Sequence, residues 1–294
     1  MFISDKWKDF ELIDCSGGEK LERWGKYYLV RPDPQAIWET PRLDEHWKRR
    51  DGRYQRSDTG GGSWDKSALP ESWQISYGEL RFNVRPMNFK HTGIFPEQAC
   101  NWDWAAEKIR AAGRPIRVLN IFGYTVAASL ACAKAGASVC HVDAAKGMVA
   151  WGKENAVLSG LADASIRWIV DDCIKFVERE IRRGHRYDAI IMDPPSYGRG
   201  PSGEVWKLEK DLWSFVSLCA GVLSDEPLFV MINSYTTGLS PSVLSYVTES
   251  IFTKKHGGRS DSQELGLPVT ASGLVLPCGA TCRWDCGFAP PGAK

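Results

Sequence analysis

From residue 117 onward, short apolar runs alternate with longer stretches in which apolar residues return every three or four positions. The pattern predicts strands over 117–122, 138–142, 165–170, 187–192 and 227–232, separated by helices over 124–134, 145–158, 172–182 and 206–223. A helix from Glu97 to Ala111 leads in, with Trp104, Ala105, Ile109 and Ala112 on its apolar face. Such alternation predicts an α/β fold with a parallel, doubly wound sheet. After a helix near Ser242 to Thr253 the pattern shifts to short strands punctuated by Gly and Pro around Pro268 to Trp284. That fits an antiparallel pair added at one sheet edge.

The front of the chain reads differently. Leu12 to Trp38 suggests short strands around turns: Ser16-Gly17-Gly18 is a turn, Lys26 to Val30 is strand-like, and Pro32-Asp33-Pro34 breaks it. Pro41 to Arg53 suits a short helix, and Thr59 to Ser63 a flexible loop tip. Trp73 to Tyr77 and Glu79 to Val84 flank Gly78 as a hairpin. The predicted organisation is a small β-rich domain over 1–96 and an α/β domain over 97–294.

Composition sharpens this only in places. A chain of 294 residues has room for one large domain and a smaller one. The net charge of +1 makes no global case for or against nucleic acid. Arg42, His46, Lys48, Arg49, Arg50, Arg53 and Arg56 form a local basic cluster diluted by Asp44, Glu45 and Asp51, readable as a phosphate track or as a solvated face. No apolar run approaches the roughly 20 residues that cross a bilayer, and the first residues do not read as a signal peptide. Nine cysteines without disulfide-framework spacing point to a reducing, cytoplasmic setting. Trp7, Trp24, Trp38, Trp47, Trp64, Trp73 and Trp102 read mainly as core of the front domain, with base stacking as the alternative.

The candidate chemistry gathers at predicted strand ends. Arg117 to Gly123 is a strand closed by a single glycine, followed by a helix of small residues, and the next strand ends on Asp143. Asp171-Asp172 and Asp193 end two further strands. In an open parallel sheet, ligands lie beyond the carboxyl ends, where the strand order reverses. Asp is also a common helix cap, so each acid alone has a structural reading. In Met192-Asp193-Pro194-Pro195-Ser196-Tyr197 two prolines follow the acid, leaving rigid carbonyls that accept amine or amide N–H groups. Tyr197 offers a flat face to a planar ring.

These motifs together resemble the class I S-adenosylmethionine-dependent methyltransferases. They are Asn120-Ile121-Phe122-Gly123-Tyr124-Thr125, His141-Val142-Asp143-Ala144, Asp171-Asp172 and Asp193-Pro194-Pro195-Ser196-Tyr197. The branch most similar is that of the large-subunit ribosomal RNA cytosine-C5 methyltransferases. The resemblance extends forward through Glu19 to Gly25, Arg31 to Trp38 and Lys90 to Gln98. It implies a Rossmann-like, seven-stranded methyltransferase sheet behind a small substrate-side domain, with S-adenosyl-L-methionine as cofactor and ribosomal RNA as substrate. Asn120, Phe122 and Gly123 would lie under the methionine part. Asp143, beside Ala144, would hold the ribose hydroxyls, and Asp172 would accept from the adenine amine. Asp193 and the Pro194 carbonyl would face the methyl donor and its target. Thr92, Gly93 and Gln98 would close over the cofactor.

Two departures alter what is expected. The family's glycine after Tyr-Thr is Val126 here, so the turn must be more open or rest on Gly123 alone. The family's cysteine nucleophile falls where this chain reads Met231-Ile232-Asn233-Ser234-Tyr235. Cytosine C5 becomes nucleophilic only after a thiolate adds to C6, so a nitrogen acceptor is expected instead, with Asp193 orienting it or taking its proton and Asn233 bonding a base edge. A protein side chain or small molecule remains an alternative acceptor, as does a binding module without transfer activity. Cys278, Cys282 and Cys286 read as thiols along a strand rather than a metal site. A nicotinamide-dependent reading lacks G-x-G-x-x-G.

Overall fold

The computed structural model describes residues 1–57, 61–65, 68–199, 205–236 and 238–287. The chain divides into two units. Unit 1 comprises Met1–Asn101, Lys153–Ala162 and Leu265–Cys278, and unit 2 comprises Trp102–Gly152, Asp163–Glu264 and Gly279–Lys294.

Unit 1 is built on strands. After β1 (Phe2–Ile3), a sheet runs in the order β2 (Phe10–Ser16), β3 (Glu19–Trp24), β4 (Tyr27–Pro32), β5 (Gly52–Arg56) and β6 (Gly62–Asp65). Its pairs are antiparallel except β4–β5. Gly17 and Gly18 take left-handed φ values of 56° and 77° at the β2–β3 turn, a region open to glycine without Cβ strain. A hairpin joins β7 (Trp73–Tyr77) to β8 (Leu80–Val84). Ile13, Leu21, Val30 and Trp47 form an apolar cluster.

The helix expected over Pro41–Arg53 is only a 3-10 turn, Glu45–Trp47, followed by β5. The stretch has too few apolar positions for a helical stripe, and Leu43 is 88% exposed, leaving Trp47 as its buried anchor. The basic residues here are largely engaged locally. Arg42 and Arg53 both pair with Glu19, Arg49 with Glu45, and His46 with Asp44. Of the loop tip expected over Thr59–Ser63, residues 59 and 60 lie outside the described residues, while Gly62 and Ser63 belong to β6.

Beneath that surface lies a buried ionic group. Arg31 donates from Nε and Nη2 to Glu22 at 2.6 and 2.8 Å, and Trp24 Nε1 donates to Glu22 at 3.2 Å. Lys20 Nζ stands 3.3 Å from both Glu22 and Asp33. Burial alone would push the Glu22 carboxyl up, but the Arg31 and Lys20 charges override it and hold it at about 2.

Unit 2 carries the predicted alternation. Helix α1 (Ala99–Ala111) precedes β9 (Arg117–Ile121), α2 (Ala127–Lys134), β10 (Ser138–Asp143), α3 (Lys146–Leu158), β11 (Ile166–Val170), α4 (Cys173–Arg182) and β12 (Ala189–Met192). There follow β13 (Tyr197–Arg199), β14 (Val205–Lys207), α5 (Leu208–Ala220), β15 (Phe229–Ser234), α6 (Pro241–Thr248), β16 (Arg259–Pro268) and β17 (Val275–Asp285). The sheet order is β16-β17-β15-β12-β9-β10-β11. The strands from β15 to β11 are parallel and β17 runs antiparallel to β15. This is the doubly wound, seven-stranded arrangement expected; within unit 1, β1 also pairs with Leu265 and Gly266 of β16. Leu119, Ile190 and Val230 meet Phe176, Phe215 and Leu244 on one face, while Val118, Ile191 and Met231 meet Ala105, Ile109 and Cys132 on the other. Two buried faces explain why the strands read as continuous apolar runs.

Three expectations need revision. Val205–Lys207 is a strand rather than the first turn of a helix. The helix after β15 passes through a π turn, Glu249–Thr253, and runs on to His256. The tail strands are long, ten and eleven residues, because their glycines mark close approach rather than breaks. A Cβ on Gly266 would sit 2.4 Å from Val275 Cγ1. Among the described residues, no helix is long and apolar enough to cross a membrane.

Candidate active site

The carboxyl ends of β12, β9, β10 and β11 form one rim, because these four strands are consecutive neighbours and parallel. Strand order reverses here: the chain moves from β9 outward to β10 and β11, then returns to β12 on the other side. The backbone ties adjacent ends together. Asp193 N donates to Ile121 O at 3.3 Å, Gly123 N to Val142 O at 3.0 Å, and Asp171 N to Asp143 O at 3.1 Å. The strand-end acids therefore do share one edge of the sheet.

The turn after β9 is strained. Phe122, Tyr124 and Val126 have φ values of 57°, 50° and 90°, in the left-handed region that is costly for residues with a Cβ. Gly123 is required for a different reason. A Cβ there would lie 2.3 Å from His141 Cε1 and 2.5 Å from Nδ1, so the buried imidazole fills the space beneath the turn. His141 Nδ1 bonds Ser129 Oγ at 3.0 Å, and Asn120 Nδ2 donates to the same oxygen at 2.9 Å. Its Nε2 has no hydrogen-bond partner among the described residues. Burial pushes the imidazole down to about 4, so it is neutral at physiological pH.

Asp143 braces the same turn. Its Oδ2 accepts from Tyr124 N at 2.9 Å and its Oδ1 from Ala145 N at 2.8 Å. A carboxylate has about four acceptor sites, so two remain for a ligand at this half-buried position. Burial raises its pKa, against the pull of the Ala145 and Tyr124 N–H groups. Ala144 follows it at the surface end of the strand. Asp172 caps α4, accepting from Lys175 N at 2.9 Å, and Asp171 pairs with Arg179. Val126 is fully buried against Gly152 of α3: a Cβ on Gly152 would stand 3.0 Å from Val126 Cβ and 3.2 Å from Trp168 Cζ3. The absent side chain at 152 makes room for the one present at 126.

Beyond β12, Asp193 is half-buried, Pro194 is buried, and Pro195 and Ser196 are exposed. Not all the loop carbonyls are open to a ligand. Trp206 Nε1 donates to Pro195 O at 2.6 Å, and Leu208 N to Ser196 O at 3.1 Å. Strands β13 and β14 form a ribbon pairing Tyr197 with Lys207 and Gly198 with Trp206. Tyr197 remains 50% exposed, as a stacking face must. Asn233, at the end of β15, is buried and its Oδ1 accepts from Thr281 Oγ1 at 2.7 Å.

The comparisons with known proteins point one way. The profile of a family described as S-adenosylmethionine-dependent methyltransferase matches residues 45–221, more than half of the chain. The solved SAM-dependent methyltransferase from Agrobacterium tumefaciens is 40% identical, covers 97% of this chain and 93% of its own, and superposes with a TM-score of 0.91. The chain belongs to the S-adenosylmethionine-dependent methyltransferases. SMU.776, solved complexed with SAH, shares the fold at 21% identity and a TM-score of 0.73, covering 95% of this chain and 76% of its own. Among curated relatives, the ribosomal RNA large subunit methyltransferase K/L of Chromohalobacter salexigens is 26% identical over 208 residues, 68% of this chain. That of Shewanella baltica is 30% identical over 160 residues, 54% of this chain. The chain spans only 26% and 21% of the length of these two relatives.

The methyltransferase's rim has the chemistry its family's cofactor needs: a half-buried carboxylate with acceptor capacity for a diol, beside a backbone turn held open by a glycine. The remaining expected residues lie in unit 1. Thr92 is buried and its Oγ1 has no hydrogen-bond partner among the described residues, Gly93 has φ 103°, and Gln98 Oε1 accepts from Asn101 Nδ2 at 2.7 Å. Three residues escaped the sequence reading as parts of the site: His141, Gly152 and Trp206. His141 stood inside a quoted motif, and a buried polar residue beside a strand-end acid was the available signal. Gly152 and Trp206 gave none, since their partners are distant in sequence. Cys278 and Cys282 lie along β17, with Cys286 just after it. Cys278 Sγ bonds Leu276 O at 3.3 Å and Cys282 Sγ contacts Thr248 Oγ1 at 3.1 Å. Among the described residues, no group of three His, Cys, Asp or Glu side chains is placed to hold a metal ion.

Proposed function

We propose that this protein transfers a methyl group from S-adenosyl-L-methionine to a base of RNA, ribosomal RNA in particular, at a nitrogen rather than at cytosine C5. The observation that carries the reading is the Asp143 carboxylate at the end of β10, braced on the Phe122–Tyr124 turn in a chain of this family. When bound, the cofactor supplies an electrophilic methyl on a sulfonium. Asp143, with Ala144, holds ribose hydroxyls; Asn120, Phe122 and Gly123 shape the turn under the methionine part; Asp172 accepts from an amine. Thr92, Gly93 and Gln98 keep the cofactor-side role that the resemblance implies. Asp193 orients the acceptor or takes its proton, the Pro194 carbonyl accepts from it, Tyr197 stacks on its ring, and Asn233 bonds its edge. Residues 1–96 act as the substrate-side domain and 97–294 as the cofactor domain.

The thiols support a nitrogen acceptor. Cys173, Cys219 and Cys282 lie in the core of unit 2, and burial raises the pKa of each, Cys173 to about 12. A buried thiol held protonated is a poor nucleophile. The relatives named as ribosomal RNA methyltransferases support RNA as substrate. Nine cysteines without disulfide-framework spacing fit a cytoplasmic setting. The local pairing of Arg42, Arg49 and Arg53 with glutamates favours, as a second reading, a protein side chain or small molecule as acceptor.

Mass spectrometry of ribosomal RNA nucleosides from cells lacking the gene, with and without its re-expression, tests the acceptor. We expect an N-methylated nucleoside to vanish and return. Loss of 5-methylcytidine alone overturns the nitrogen assignment, and an unchanged nucleoside profile moves the acceptor to the second reading. Calorimetry with the cofactor should show Asp143→Ala weakened at least tenfold; equal affinity removes Asp143 from the site.

A further inference from the structure

Trp206 joins two segments that the proposed reaction needs in register. Its Nε1 donates to Pro195 O at 2.6 Å, two residues beyond Asp193. Its ring centroid lies 6.0 Å from that of Phe122, whose backbone is left-handed within the cofactor turn. Both rings also pack on Phe215 of α5, Trp206 edge-on at 5.6 Å and 86°, and Phe122 at 5.5 Å and 61°. A strained φ such as that of Phe122 persists only where its surroundings over-determine it, and two aromatic neighbours on one side chain do so. The carbonyl that Trp206 engages belongs to a segment with two consecutive prolines, which has few internal N–H groups to fix itself. One indole therefore restrains the cofactor turn through its ring and the acceptor loop through its N–H.

We propose that Trp206 is a positioning residue that couples the Phe122 turn to the Asp193–Pro195 loop, so that cofactor binding sets the pose of the loop that meets the acceptor. The proposal rests on the cofactor assignment above but not on the identity of the acceptor. A change in the turn on ligand binding would be transmitted by packed rings rather than by a flexible tether.

The test is a double-mutant cycle read by calorimetry with S-adenosyl-L-methionine, using wild type, Phe122→Ala, Trp206→Ala and the pair. Each single change is expected to weaken binding about fivefold to tenfold, and the pair no more than the worse single. Trp213→Ala, on the half-exposed face of α5, serves as the control with wild-type affinity. Trp206→Phe keeps a ring and removes the N–H. It should bind the cofactor within about threefold of wild type, yet lose the protection from hydrogen exchange that the cofactor confers on residues 196–199. Single effects that multiply in the pair, or Trp206→Phe with wild-type protection, overturn the coupling. A wild type that binds no cofactor overturns the functional reading and this inference with it.

Discussion

In unit 1, Glu22, Arg31 and Lys20 are withdrawn from water and satisfied by one another. In unit 2, Asp143 and Asp193 stand half-buried at strand ends, and much of what holds them is backbone. The two regions use charge in opposite ways. A buried ion pair is costly to break, because removing one partner strands the other in a low dielectric. A half-buried carboxylate resting on N–H groups keeps acceptor capacity for something that arrives later. Strain follows the same division: among the described residues, those other than glycine with left-handed φ, Phe122, Tyr124 and Val126, all lie at the unit 2 turn.

The harshest way to probe this contrast is Glu22→Gln. It leaves Arg31 and Lys20 without their shared carboxylate and should lower unfolding free energy by about 3–5 kcal/mol in urea titrations. Replacing Glu22 and Arg31 together by apolar residues should cost less than that single change. Acid separates the regions next. His141 in unit 2 and His91 in unit 1 are pushed by burial to about 4 and about 3, below the ordinary 6.5. The unfolded chain then takes up those protons first, so both units lose stability as pH falls from 6.5. Glu22, held at about 2 against an ordinary 4.5, extends the loss in unit 1 as pH falls from 4.5 towards 2. Asp143 in unit 2 and Glu97 in unit 1, both raised by burial, work in the opposite sense, while Glu180 in unit 2, lowered against burial by its hydrogen bonds with Tyr187 and His185, acts as Glu22 does. Region-resolved hydrogen exchange should therefore show both units loosening between pH 6.5 and 4.5, and Glu22→Gln should remove part of the further loss in unit 1 below pH 4.5.

At the turn itself, Gly123→Ala drives a methyl into the His141 ring and should cost about 2–3 kcal/mol, with at least tenfold weaker cofactor binding by calorimetry. Gly152→Ala should cost about 1–2 kcal/mol in wild type but clearly less beside Val126→Gly, since the two side chains compete for one space. Equal costs in both backgrounds would show that the pair is not coupled. The smallest effect belongs to Arg49→Ala at the exposed pair with Glu45, about 0.5 kcal/mol or less by thermal melting.

How much of this was legible in the sequence depended on distance along the chain. The strands of unit 2 announced themselves because both their faces are buried, and Asp143 and Asp193 because strand ends are local events. Val126 was visible as a departure, but its remedy at Gly152 was not, since nothing local pairs a turn with a later helix. The β13–β14 ribbon was hidden because Val205 and Trp206 continue the apolar spacing of α5. The true start lacks a side-chain cap at Lys207, whose N–H is instead taken by Asp211 at 2.7 Å. The basic stretch from Arg42 to Arg56 showed its charges and the diluting Glu45, but not that Glu19, distant along the chain, would pair with Arg42 and Arg53.

The division of the chain also bears on how the molecule is made. Unit 1 includes Lys153–Ala162 and Leu265–Cys278 as well as its opening segment. During synthesis the last of these stretches follows Asn101 only after most of unit 2 has been made. Cutting after Asn101 would release a fragment missing strand partners such as Leu265 and Val269. The segment up to Asn101 therefore waits for partners that most of unit 2 precedes.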